Sequence, residues 1–316
     1  MNDFADSSVL VTGGNGAVGC NLVRKLLDLK ANVTVLDDLS QSKRGNLPQD
    51  KHLKVIEGNI LNQRTLEKVF ARHYDYVFHL AARFANELSV NDPIEDLKVN
   101  IQGTLQVLLR AARQKPEKFL YSSSSSVYGH QKIIKFSENT LPRPSTPYAA
   151  SKLTGEHYCN VIHELYGINY TVVRLSNSYG PFDPSGKFRN VIPNFMVNAL
   201  KKKDLIIYGT GKETRDFTYV DDCVNGILLA AKSSKSNYEV FNLGTGKETT
   251  IREIASLILS ITNSKSKITF RPMRQFDHIK RRSMDISKAK KLLQYEPTIN
   301  IKRGLENTYR WFLNSV

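Results

Sequence analysis

Cysteine is scarce: Cys20, Cys159 and Cys223 are the only three in 316 residues, and no Cys-x-x-Cys pair occurs. That spacing excludes a zinc ribbon, a dithiol redox couple and a disulfide-stapled scaffold, and it predicts reduced, buried thiols in a cytoplasmic protein. No apolar run reaches the ~18 residues that cross a bilayer, and the polar start Met1-Asn2-Asp3-Phe4-Ala5-Asp6 has no basic stretch followed by an apolar one. Neither secretion nor membrane insertion is expected. There is no HExxH pattern and no clustered carboxylate motif, so no metal is expected. Acidic residues are also in deficit, 30 Asp plus Glu against 45 Lys plus Arg, a formal net charge of +15 that favours anionic partners. The basic clusters Lys201-Lys202-Lys203 and Lys280-Arg281-Arg282 are short, separated and not interleaved with aromatics. Solvated faces account for the first better than nucleic acid does, and no nucleic-acid partner is expected.

What is present is ordinary globular material, 41% hydrophobic against 24% charged. Short β-branched runs at Ser8 to Thr12, Asn32 to Leu36, Leu53 to Glu57, Tyr76 to Leu80, Lys118 to Ser122 and Tyr170 to Leu175 predict strands. Between them, Val18 to Leu29, Thr65 to His73, Pro93 to Arg113 and Ser151 to Tyr166 carry apolar residues at helical spacing. After Gly180-Pro181 the elements become shorter and richer in Pro and Gly, and Asp221 to Lys232 followed by Glu239 to Leu243 reads as one more helix and strand returning to the first sheet. The expected fold is α/β: a Rossmann-like, doubly wound parallel sheet with a smaller α/β C-terminal substrate domain. The expected division is discontinuous, with residues 1–178 and 214–243 in the first unit and 179–213 and 244–316 in the second.

Val9 to Gly19 reads as an apolar strand, a glycine-rich turn and the opening of an amphipathic helix. Gly13, Gly14 and Gly16 let backbone N–H groups approach a pyrophosphate at a helix N-terminus, and Gly19 permits close helix packing. Ala17 and Val18 stand in that same helix opening. Asp37, at the end of the next strand, is placed to accept hydrogen bonds from an adenine ribose and to repel a 2′-phosphate, which favours NAD over NADP. Lys43 and Arg44 nearby keep NADP as a minority reading. Three Tyr-x-x-x-Lys spacings occur, Tyr128 with Lys132, Tyr148 with Lys152, and Tyr208 with Lys212. Only Tyr148 and Lys152 lie in a helical segment, opened by Pro147, which puts both on one face. A nearby ammonium favours a phenolate, so Tyr148 is the expected acid/base and Lys152 the group that lowers its pKa while holding the nicotinamide ribose.

The motif TGGNGAVG at residues 12–19, His79-Leu80-Ala81-Ala82, Asn100-x-x-Gly103-Thr104, the serine run before Val127-Tyr128-Gly129, and Tyr148-Ala149-Ala150-Ser151-Lys152 occur in this order. In them the chain resembles the extended short-chain dehydrogenase/reductase family, and within it the NAD-dependent nucleotide-sugar epimerases and dehydratases, most of all the UDP-hexose 4-epimerases. The resemblance implies that Ser124 is the third catalytic member, with Ser125 and Ser126 as neighbours able to share its role on the substrate. It places Asn59, Ile60, Leu80, Ala81, Ala82, Asn100 and Ser122 on the cofactor, with Asn59 standing where the family usually has an Asp. It brings Asn177, Val191 and Arg215 to the nucleotide sugar, and Arg281 or Arg282 to its diphosphate as a second contact. Phe276 departs from the family, where Gly is common. His79 is read as support for the cofactor pocket or core, and Arg83 and Phe84 as either tuning the pocket or neutral.

The leading expectation is a nucleotide-sugar 4-epimerase that holds NAD tightly, acts on a UDP-sugar and forms a homodimer through the long helices Pro93 to Arg113 and Ser151 to Tyr166. The alternatives are 4,6-dehydration or another reaction of the same family, and a noncatalytic NAD-binding scaffold. Dehydratases carry an acidic residue after the catalytic Ser or Thr, whereas this chain has Ser125 and Ser126. A scaffold would show a broken catalytic set, whereas Ser124, Tyr148 and Lys152 are all present.

Overall fold

The computed structural model describes residues 4–84, 86–274, 277 and 279–315. Seven parallel strands form its main sheet: β1 (Ser8–Thr12), β2 (Asn32–Asp37), β3 (Leu53–Glu57), β4 (Tyr76–His79), β5 (Lys118–Ser124), β6 (Tyr170–Leu175) and β7 (Glu239–Leu243). Their spatial order is β7-β6-β5-β4-β1-β2-β3. The chain therefore winds outward in one direction from β1 and then in the other from β4, and the carboxyl ends of β1 and β4 diverge at a switch point where such sheets place ligands. The predicted strands agree to within two residues. Val9, Leu10 and Val11 are completely buried because helices cover both faces, and burying each such side chain contributes roughly 1.5–3 kcal/mol.

Helix α1 (Ala17–Asp28) packs Leu22, Val23 and Leu26 on one face of the sheet. On the other face lie Leu66 and Val69 of α2 (Gln63–Val69). The segment expected as one helix from Pro93 to Arg113 is divided. A short α3 (Asn86–Asn91) precedes it, α4 (Pro93–Leu97) opens it, residues Lys98–Gly103 form a π-helical turn, and α5 (Thr104–Gln114) completes it. The wider turn lets the Asn100 amide reach back to Asp96 Oδ1 at 2.8 Å. It also seats Gly103 against Ile60, whose Cδ1 lies 2.6 Å from where a Cβ would project. Helix α6 (Pro147–Tyr166) starts with Thr146 accepting from the Ala149 N–H at 3.2 Å, has Pro147 in its first turn, and stops at Gly167 with φ +71°. Those are ordinary start and stop signals.

The rest of the chain adds helices and two-stranded pairs at the carboxyl edge of the sheet. Asn177–Tyr179 pairs with Phe217–Tyr219, Leu205–Tyr208 with Ile268–Arg271, and Lys135–Phe136 with Ser283–Met284. The last pairing carries the residues after Lys280 back across to the end of β5. All three cysteines are buried and unpaired, and burial pushes each thiol upward.

Candidate active site

The cleft between the ends of β1 and β4 has a volume of about 570 Å³. Gly13, with φ +71°, lies so close to the strand-end loop that a Cβ there would sit 2.6 Å from the Ala81 nitrogen, and a Cβ on Gly19 would sit 2.2 Å from the Gly13 carbonyl oxygen. Only glycine fits this cradle. Helix α1 begins beneath it with no side-chain cap and no acidic residue in its first turn, so its N–H groups face the cleft with nothing of the protein's own to neutralise them. Asp37 lines the cleft; its Oδ2 accepts from the Asn15 N–H and its Oδ1 from the Leu39 N–H, each at 2.9 Å. Burial nevertheless raises its pKa. Arg44 is exposed and held by Glu57 at 2.6 Å, which draws its charge away from a ribose phosphate. The glycine cradle, the bare helix end and Asp37 together fit a dinucleotide.

Fourteen of the fifteen residues expected at the cofactor border this cleft; the exception is Asn100. Asn100 is buried and its amide is occupied by Asp96 and by the backbone N–H and carbonyl of Arg83. It therefore shapes the loop after β4 rather than facing the cleft. The Asn59 carbonyl accepts from the Leu61 N–H at 2.8 Å and its amide donates to Asp38.

Ser124 ends β5, and Tyr148 and Lys152 lie one turn apart on α6, all three at the inner end of the cleft. The Tyr148 phenol bonds to Ser124, its N–H donates to Ser89 Oγ at 3.0 Å, and Phe84 stands edge-on to its ring at 5.9 Å. Lys152 Nζ sits 4.7 Å over the Tyr121 ring. Burial pushes Lys152 down to about 8, with Asp96 and Glu156 acting against it. Lys152, expected from the sequence to lower the Tyr148 pKa, is not among the protein groups that shift it. Burial and the Asp96 charge raise the Tyr148 pKa, opposed by the Ser124 hydrogen bond, so the protein's own groups keep the phenol protonated. His79 is fully buried, bridging Thr12 Oγ1 at 2.7 Å and Thr104 Oγ1 at 2.9 Å, and burial lowers its pKa to about 3. It is a core residue. Tyr128 and Tyr208, the other tyrosines of the repeated spacing, lie respectively in a buried 3₁₀ turn and on the exposed face of a half-buried strand.

A second cavity of about 480 Å³ borders Phe84, Ser126, Asn177, Val191, Arg215 and Arg282. Phe84, Arg189 and Asn190 border both cavities. Ser125 borders neither; its side chain is buried and its carbonyl accepts from Arg282 Nη1 at 3.3 Å. Of the two candidate arginines, Arg281 is exposed and paired with Glu248 at 2.5 Å, whereas Arg282 is buried and faces the cavity. Arg215 donates to the Thr214 and Ile279 carbonyls and pairs with Asp277 at 2.8 Å. Phe276 lies outside the described residues.

Sequence reasoning missed three groups. Arg274 lines the second cavity and pairs with Glu87 at 3.2 Å and Asp277 at 3.3 Å. Asp183 is buried in the cleft wall, its carboxyl pushed up to about 7 by burial. Arg189 donates to the Gln41 carbonyl and so ties the Pro181 to Asn190 segment to the loop after β2. No local pattern marks such a contact.

A family model described as the NAD dependent epimerase/dehydratase family matches residues 9–244. A putative UDP-glucose 4-epimerase of Methanocaldococcus jannaschii is 33% identical, over 97% of this chain and 99% of its own length. Among solved structures, an epimerase of Methanothermobacter thermautotrophicus is 42% identical with a TM-score of 0.98, covering 99% of this chain and 94% of that one. A UDP-glucose 4-epimerase of Thermotoga maritima with UDP-glucose is 34% identical with a TM-score of 0.93, covering 98% and 99%.

Proposed function

The chain belongs to the NAD dependent epimerase/dehydratase family, and from that premise we propose that it is a nucleotide-sugar 4-epimerase acting on a UDP-sugar. The observation that carries the reading is the convergence of Ser124, Tyr148 and Lys152 at the inner end of the dinucleotide cleft, beside Phe84, which also borders the arginine-lined second cavity. Bound NAD supplies a hydride acceptor that also returns the hydride. Tyr148 takes the proton of the sugar's 4-hydroxyl and gives it back, Ser124 orients that hydroxyl through its own side chain, and Lys152 holds the nicotinamide ribose and adds positive charge. With the oxidised nicotinamide held in this cleft, its positive charge would add to that of Lys152 in favouring the phenolate that burial disfavours. Residues 179–213 and 244–316 hold the nucleotide, with Val191 along it, and the first unit adds Asn177 along it and Arg215 at the diphosphate.

Dehydration would need an available acid/base beyond carbon 4. Ser125 turns away from the cavity, and Ser126 carries only a hydroxyl. Glu87 and Asp277, the carboxylates beside Arg274, are both ion-paired. This favours inversion without loss of water. We further propose a homodimer: Ile94 and Leu97 on α4 and Val161 and Leu165 on α6 are exposed apolar residues on adjacent helices. No helix among the described residues is long and apolar enough to cross a membrane.

The test is a panel of UDP-, GDP-, CDP- and dTDP-sugars incubated with the purified protein in deuterated water. An epimer of unchanged mass, without solvent deuterium at carbon 5, is expected from the UDP series. A product lighter by one water would place the chain with the dehydratases.

A further inference from the structure

The substrate cavity contains a buried charged side chain that makes no ion pair among the described residues. Arg282 is 5% exposed and borders the cavity. Its Nη1 reaches the Ser125 carbonyl oxygen, while its Nε has no hydrogen-bond partner. The carboxylates around it are engaged elsewhere. Asp216 accepts from the N–H groups of Thr245, Gly246 and Met284, and Asp277 is shared between Arg215 and Arg274. Burial and then the repulsion of the Arg215 guanidinium lower the Arg282 pKa to about 9 against the weaker pull of Asp277 and Asp216, which leaves it charged at neutral pH. The Nε–Nη2 edge of a guanidinium can grip a carboxylate through two parallel hydrogen bonds, and in Arg282 that edge makes no bond among the described residues. A buried cation is costly to hold without an anion, so its partner arrives from outside.

The position of Arg282 indicates which part of the substrate bears that anion. Arg215 is tied to the Thr214 and Ile279 carbonyls and ion-paired with Asp277. Arg282 instead crosses to the carboxyl end of β5 and rests on Ser125, the residue after Ser124, whose hydroxyl meets the Tyr148 phenol. We propose that Arg282 reads a carboxylate carried on the sugar, leaving the diphosphate to Arg215, so that the preferred substrates are acidic nucleotide sugars. The proposal rests on the epimerase reading and reassigns the arginine that the resemblance places at the diphosphate.

Calorimetry of the NAD-loaded protein with five probes tests it: UDP, UDP-glucose, UDP-N-acetylglucosamine, UDP-glucuronic acid with its carboxylate at carbon 6, and UDP-N-acetylmuramic acid with its carboxylate on the carbon 3 ether. The wild type is expected to bind one of the two acids at least about tenfold more tightly than its neutral counterpart, and which acid does so locates the charge. Arg282→Met should abolish that preference while binding UDP like the wild type, and Arg282→Lys should keep part of it. Equal affinity of the wild type for acid and neutral sugars overturns the proposal whatever the variants do. So does an Arg282→Met that loses UDP as severely as the acid, because Arg282 then serves the diphosphate. Turnover in the same preparation separates the two ideas. Epimerisation of a neutral sugar without acid preference removes only the acid proposal, whereas binding of no probe removes the UDP-sugar reading and the proposal with it.

Discussion

Glu156 grips Arg174 with both carboxylate oxygens, Oε2 at 2.7 Å from Nη2 and Oε1 at 3.0 Å from Nε, and both side chains are buried. The pair joins α6, one turn beyond Lys152, to β6. It continues through Ser123 Oγ on one side and through Tyr128 OH to Asn242 on the other. The catalytic helix is thereby fastened to three strands of the sheet at the level of the site.

Removing one partner leaves an uncompensated buried charge. Glu156→Ala is expected to lower unfolding stability by about 3–5 kcal/mol, and Glu156→Ala with Arg174→Met by less than the sum of the two single changes. Urea denaturation of the four proteins checks this; a single-variant loss below about 1 kcal/mol would contradict it.

His79 makes stability sensitive to acid. Its folded pKa of about 3 lies below the ordinary 6.5, so the unfolded chain binds the proton more readily. The contribution of the neutral ring is complete above pH 6.5 and is lost as pH falls toward 3, at up to about 1.4 kcal/mol per pH unit. His79→Asn should flatten the decline between pH 6.5 and 4. Identical slopes in the two proteins would show that another group dominates.

Gly13→Ala should abolish NAD retention, because its Cβ would meet backbone at 2.6 Å and at a positive φ. Absorbance and calorimetry of the folded variant read this directly. NAD affinity within about threefold of wild type would mean that the cradle is not the dinucleotide site.

Tyr148→Phe removes the proposed proton acceptor and little volume. Turnover is expected to drop by about 10²–10⁴-fold with NAD still bound. Loss of NAD in parallel with turnover would instead assign Tyr148 a binding role.

Light scattering should give twice the 35.8 kDa chain mass at micromolar concentration. Ile94→Glu with Leu165→Glu should give the single mass, since both side chains are exposed on the proposed dimer face. A wild-type monomer would remove the dimer proposal.

The sequence by itself determined the strands of the sheet, the glycine turn after β1, Asp37 at the end of β2, and Tyr148 and Lys152 as the spacing that sits on a helix. Each is carried by residues within one or two turns of one another, where periodicity, capping and backbone sterics act directly. Tertiary structure alone decided that Arg282 and not Arg281 is buried at the cavity, and that Asn100 braces Arg83 while Ser125 offers its carbonyl rather than its hydroxyl. It also decided that Arg189 reaches Gln41, 148 residues away. The same holds for the Tyr148 phenol: its pKa is raised because burial and the Asp96 charge outweigh the Ser124 hydrogen bond. Desolvation and the pairing of distant charges depend on which surfaces the whole chain brings together, and neither has a signature in local spacing.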